Sequence, residues 1–204
     1  MLIGVDFDNT IVCYDRIFRS IAQQRGLIAP GKTLSKRELH DYLHGLGKAD
    51  VWTELQGEVY GPLMRDAEPF PGVMDFFKRC RAQRVPVRII SHRTRYPYMG
   101  DKHDLHQAAR DWLAGQGFYD PDGIGLLPEE VFFDESRAEK LTRIAQQQCT
   151  DFVDDLVEVL AEEKFPAGVR RILFDPDRMH PQCAIAQRAG SWREIESILF
   201  PGGQ

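Results

Sequence analysis

Several things are scarce in this sequence of 204 residues, and each scarcity excludes a class of protein. No apolar run comes near the roughly 20 residues that a membrane-spanning helix needs. Basic residues are outnumbered, 26 Lys and Arg against 31 Asp and Glu. The net charge of -5 therefore argues against a broad electrostatic grip on a nucleic acid polymer, while a small anionic ligand held by a few local cations stays possible. Only four cysteines are present, Cys13, Cys80, Cys149 and Cys183, and no two form a Cys-x-x-Cys pair. They read as reduced thiols with no zinc site. There are no internal repeats and no low-complexity tracts. The opening residues lack the basic segment, apolar core and small-residue cleavage site of a signal peptide, so cytoplasmic residence without membrane attachment is the expectation.

What is present has the composition of a folded globular protein, 43% hydrophobic and 28% charged. Leu2, Ile3, Gly4 and Val5 form a short apolar run that delivers Asp6, Phe7, Asp8, Asn9 and Thr10. Strand alternation would point Asp6 and Asp8 to one side, where two carboxylates repel unless a cation sits between them. The plainer alternative is a strand that stops at polar turn residues. Helical periodicity then takes over. Ile17, Phe18 and Ile21 make one apolar stripe, Ser35 and Glu38 have capping-box spacing ahead of Leu39 and Leu43, and Val51 to Met64 offers a third helical stretch. Residues 14–67 thus read as an all-helical insert, and Glu68-Pro69-Phe70-Pro71-Gly72 as the rigid boundary that ends it.

From there strands and helices alternate. Val87-Arg88-Ile89-Ile90 is a strand that ends in Ser91-His92-Arg93-Thr94, followed by a loop stiffened by Tyr96-Pro97-Tyr98 and a helix from near Asp104 to Leu113. Val131-Phe132-Phe133 is a further strand, and Ser136 with Glu139 forms a second capping box. Asp151-Phe152-Val153-Asp154-Asp155 repeats the opening theme of an apolar approach ending in paired carboxylates. Leu156 to Lys164 reads as helix, Arg171-Ile172-Leu173-Phe174 as another strand, and Trp192 to Phe200 as a final helix. This alternation predicts an α/β fold with an open, mostly parallel sheet and helices on both faces. Residues 1–13 and 68–204 would form that core. Ligands of such sheets bind outside the carboxyl ends of the strands, which is where the polar clusters fall.

In combination, Asp6-x-Asp8-x-Thr10, Ser91, Lys140 and Asp154-Asp155 resemble the motifs of the haloacid dehalogenase-like (HAD) superfamily, in order and across nearly the whole chain. The resemblance implies a Rossmann-like core and a Mg²⁺-dependent phosphatase that works through an aspartyl-phosphate. Asp6 would be the nucleophile and Asp8 the general acid and base; Asp8 also separates phosphatases from the haloalkanoate dehalogenases, which lack it. Ser91, with the backbone N–H of His92, would hold a phosphate oxygen, although a cap is its plainer role. Lys140 falls in the first turn of a capped helix, where the dipole disfavours a cation, so an anion should compensate it. In the resembling proteins that anion is the nucleophile and the substrate phosphate. Arg137 is a weaker candidate for the same position.

The Mg²⁺ would be held by Asp6, the backbone carbonyl of Asp8, and the Asp154-Asp155 pair, with Asp155 favoured as direct ligand and Asp154 as support. Either could instead cap the helix that follows. Arg93 and Arg95 stand where a second polar group of a substrate might lie, or else on a solvated basic loop. His103 and His106 read as helix-terminus polarity and not as a second metal site. The insert occupies the position of a C1-type cap, with Arg16, Arg19, His40, His44 and Trp52 as its residues of most recognition capacity. Its modest size suits a small phosphate ester, a nucleotide or a sugar phosphate. A phosphotransferase or mutase, or a metal-binding regulatory module without turnover, are the rival expectations.

Overall fold

The computed structural model describes residues 1–202. In chain order the elements are β1 (Ile3–Val5), β2 (Val12–Cys13), α1 (Asp15–Gln24), α2 (Lys36–Gly45), α3 (Ala49–Tyr60), β3 (Glu68–Pro69), α4 (Val73–Ala82), β4 (Val87–His92), α5 (Leu105–Gly115), β5 (Val131–Asp134), α6 (Arg137–Gln146), β6 (Asp151–Asp154), α7 (Val157–Leu160), β7 (Arg170–Phe174), β8 (Gln187–Ala189) and α8 (Trp192–Leu199). They divide into two compact units. One holds residues 1–12, 69–93 and 117–202; the other holds 13–68 and 94–116. Among the described residues no helix is long and apolar enough to cross a membrane.

The first unit is built on a six-stranded sheet in the order β5-β4-β1-β6-β7-β8, and every pair in it is parallel. The three residues of β1 are fully buried at the centre, which explains a strand written as continuous apolar sequence. Gly4 is required there. It stands opposite Phe152 of β6, and a Cβ at this position would lie 2.4 Å from the Phe152 ring. From β1 the chain builds outward through β4 to β5, then returns across the sheet to β6 and builds outward the other way. The carboxyl ends of β1, β4 and β6 therefore meet at the point where the winding reverses, the usual ligand crevice of such sheets.

Helices cover both faces. Leu141 and Ile144 of α6 and Val159 and Leu160 of α7 join Ile90, Phe152 and Leu173 in one buried cluster. Phe76 and Phe77 of α4 pack with Trp192 of α8, which also lies against Phe174 of β7. Each such ring removed from water contributes on the order of 2–3 kcal/mol. Among the elements that differ from the sequence expectation are two of this unit. The helix after Asp155 is only four residues long, and β8 forms an edge strand from Gln187-Arg188-Ala189, a stretch with no apolar alternation to announce it.

The second unit is helical. Phe18 of α1 stacks on Trp52 of α3 with centroids 4.8 Å apart, and Leu39 and Leu43 of α2 are fully buried. The capping box at Ser35 and Glu38 opens α2 as its spacing requires. This unit is larger than the 14–67 insert marked out by the sequence, because residues 94–116 belong to it. Gly57 of α3 makes room for that segment: a Cβ there would lie 2.9 Å from the Met99 carbonyl and 3.0 Å from Pro97. The Trp112 indole of α5 donates to the Ala67 carbonyl at 2.9 Å.

Candidate active site

Three adjacent strands bring the polar clusters to one end of the sheet. The N–H of Asp6 donates to Val153 of β6, extending the pairing of β1 by one residue, but the strand itself ends at Val5. Asp6 and Asp8 are thus not two same-face residues of one strand. The Phe7 carbonyl accepts from both Ile11 and Val12, and Asn9 takes a left-handed conformation with φ of 56°. This folds residues 7–12 into a tight loop, and Asn is among the few residues that adopt such a φ readily. Asp8 sits half-buried on the loop and Asp6 is almost fully buried at its root.

Lys140 is the centre of the cluster. It has no exposed surface, and its Nζ donates to Asp6 Oδ1 and Asp154 Oδ2, each at 2.6 Å. The capping box of Ser136 and Glu139 starts α6 so that Lys140 reaches inward one turn later. Burial alone would deprotonate the ammonium, but Asp154 and Asp6 outweigh it and raise its pKa, so Lys140 stays charged. The cation disfavoured by the helix dipole has two carboxylates as compensation. Arg137 has a partly exposed side chain paired with Glu162.

Burial pushes the Asp6 carboxyl up to about 6; the Lys140 ammonium opposes this, and the charges of Asp154 and Asp8 add to it. Asp154 spends both oxygens inside the protein, Oδ2 on Lys140 and Oδ1 on the N–H of Leu156. Asp155 is half-exposed, with the Thr10 hydroxyl 3.5 Å from its Oδ1. One oxygen each of Asp6, Asp154 and Asp155 lie within 4.8 Å of one another. Three carboxylates against the single ammonium of Lys140 leave two negative charges in a crowded space. An all-oxygen donor set with that surplus suits a hard divalent cation such as Mg²⁺. His103 and His106 join no comparable group among the described residues.

Ser91 lies in β4 and is 1% exposed, and its Oγ has no hydrogen-bond partner among the described residues. The same holds for His92 Nδ1. Burial, followed by the nearby Lys140 charge, lowers the His92 pKa. An unpaired buried hydroxyl at a strand's carboxyl end is costly and invites an oxygen-rich ligand. Arg93 is not on a solvated loop. It is 7% exposed, 3.6 Å from Asp8, while Arg95 is exposed and paired with Asp104 in the helical unit. Within that unit Trp52 is packing core, Arg16 pairs with Glu68, and His40 pairs with Asp41 at the surface.

No family model matches the sequence, and no curated protein matches it either. Solved structures do. A conserved haloacid dehalogenase-like protein from Agrobacterium tumefaciens is 17% identical, with a TM-score of 0.59 over 97% of this chain and 96% of that one. The HAD-hydrolase YfnB of Bacillus subtilis, described as bound to magnesium, is 12% identical, with a TM-score of 0.56 over 98% of both chains. A phosphoserine phosphohydrolase-like protein from Francisella tularensis is 13% identical, with a TM-score of 0.54 over 97% and 99%. At these identities the likeness is one of fold.

Proposed function

We propose that this chain, which has the haloacid dehalogenase-like fold, is a Mg²⁺-dependent phosphomonoester hydrolase acting on a small phosphorylated metabolite. The observation that carries the reading is the bridge of buried Lys140 between Asp6 and Asp154, with Asp155 beside them. An ammonium held there offsets the repulsion between a carboxylate nucleophile and a phosphate dianion, which is the main barrier to their approach.

In the first step a carboxylate oxygen of Asp6 forms a bond to phosphorus as the bond from phosphorus to the leaving oxygen breaks, giving an aspartyl-phosphate. Asp8 gives its proton to the departing alkoxide. A water then attacks the phosphorus, Asp8 takes up one of its protons, and the bond to Asp6 breaks to release inorganic phosphate and restore the carboxylate. Ser91 Oγ and the N–H of His92 donate to a phosphoryl oxygen throughout. Asp6, Asp155 and the carbonyl of Asp8 would hold Mg²⁺, with Asp154 as the link between that site and Lys140. When bound, Mg²⁺ supplies charge neutralisation and orientation for the phosphoryl group. The helical unit stands in the sequence position of a C1-type cap.

The test is phosphate release by purified protein from nucleotides, sugar phosphates and phospho-acids, with Mg²⁺ and with a chelator. Metal-dependent release that Asp6→Asn abolishes is expected. Release that survives Asp6→Asn would overturn the aspartyl-phosphate route.

A further inference from the structure

The geometry points to Arg93 as the positioning residue for Asp8: a buried guanidinium packed against two phenyl rings that fixes the orientation of the proton donor to the leaving group. The inference rests on the phosphohydrolase reading above. Arg93 follows the last residue of β4, and its backbone N–H donates to the Asp134 carbonyl at 2.9 Å. Its side chain is only 4% exposed. The guanidinium carbon lies 5.6 Å from the centroid of the Phe7 ring and 5.8 Å from that of Phe133. Those rings meet edge to face, 5.3 Å apart at 72°. Phe7 is itself fully buried between Asp6 and Asp8, so the ring that holds the guanidinium is part of the segment that carries both acids.

A planar cation packed against two aromatic rings at these distances is attracted to them by their quadrupoles and loses rotational freedom. Its Nη1 stands 3.6 Å from Asp8 Oδ1. Asp8 lies half-buried on the loop that follows β1. A fixed charge at that distance favours the rotamer that turns Oδ1 toward it. Placing a proton donor in this way contributes through geometry, because transfer to the leaving oxygen demands hydrogen-bond reach at the moment the bond breaks. Arg93 touches neither phosphorus nor metal in this account and acts only through Asp8.

The consequence is specific to the leaving group. An alkoxide needs a proton to depart, whereas p-nitrophenolate departs without one. The measurement is kcat/KM, which reports the step in which the leaving group departs, for p-nitrophenyl phosphate and for the best alkyl phosphate from the release panel. In Arg93→Met, and in Arg93→Gln should the first variant fold poorly by circular dichroism, the ratio of alkyl to aryl kcat/KM is expected to fall about tenfold or more. Asp8→Asn should lower the same ratio further. A fall in Asp8→Asn without one in either Arg93 variant overturns the role of Arg93 and leaves the hydrolase reading standing. A rise in KM confined to substrates with a second anionic group would make Arg93 a substrate contact and also overturns it. An unchanged ratio in Asp8→Asn sinks the general-acid assignment itself, and the role of Arg93 with it.

Discussion

Replacing Lys140 by Met tests whether the buried ammonium holds the site together. The side chain has no exposed surface, and its two 2.6 Å contacts to Asp6 and Asp154 are its electrostatic compensation. Methionine fills a similar volume but leaves two buried carboxylates facing each other. Removing one partner from a buried ionic cluster costs about 3–5 kcal/mol. For a chain of this size each kcal/mol moves the melting temperature by about 2–4 °C, so a drop of roughly 6–20 °C is expected. The deficit has a pH signature. Burial already holds the Asp6 carboxyl up to about 6, and loss of the opposing Lys140 charge raises it further. A carboxyl whose folded pKa lies above its unfolded value of 3.8 contributes stability below that value and loses it as pH rises through the folded pKa. The difference between wild type and variant should therefore be largest at alkaline pH and shrink as the pH falls through the variant's raised Asp6 pKa toward 6. The assay is urea unfolding in the presence of a chelator, so that no bound cation masks the loss. Adding Asp154→Asn to Lys140→Met removes one of the stranded charges and should recover part of the deficit. A single variant within about 1 kcal/mol of wild type at pH 8, or a double variant no more stable than the single, would refute the reasoning.

Three further outcomes follow from the same geometry. Mg²⁺ affinity measured by calorimetry should fall below pH 6, about tenfold weaker at pH 5 than on its plateau, because Asp6 must lose its proton to act as a ligand; a flat profile from pH 5 to 8 would exclude Asp6 from the metal site. Ser91→Ala should leave the melting temperature equal or higher, since it removes a buried unpaired hydroxyl, and lower kcat/KM about tenfold or more; parallel losses of stability and activity would mean the hydroxyl is structural. Gly4→Ala should cost about 1–3 kcal/mol in urea unfolding, because the new Cβ meets Phe152 at 2.4 Å; a neutral result would mean that the Phe152 ring, which lies 5.4 Å from Lys140 Nζ, moves aside freely.

Much of this architecture was legible because its signals are local. β1, β4, β5 and β7 are short apolar runs bounded by polar residues, and the boxes Ser35/Glu38 and Ser136/Glu139 mark the true starts of α2 and α6. Misreadings occur where the deciding contact is distant in sequence. β8 forms because Gln187-Arg188-Ala189 pairs with Ile172-Leu173-Phe174, and nothing in those three residues announces it. The segment 94–116 looked like core because it lies between core strands, yet it packs on α3 through a glycine some forty residues upstream. Arg93 read equally well as a solvated cation or a substrate contact, since the rings that bury it come from residues 7 and 133.

By itself the sequence determined which residue types stand at the ends of the strands and the start of α6. Periodicity and capping are written in neighbouring residues and need no partner from elsewhere. Only the tertiary structure decided which of those groups meet. The register of β1 beside β6 brings Asp6 onto the Lys140 that also holds Asp154, and Asp155 is left as the half-exposed acid of its pair. The register of β1 beside β4 sets Arg93 against Asp8. Asp6 and Lys140 lie 134 residues apart, so their distance depends on strand order, and strand order is a property of the packed sheet.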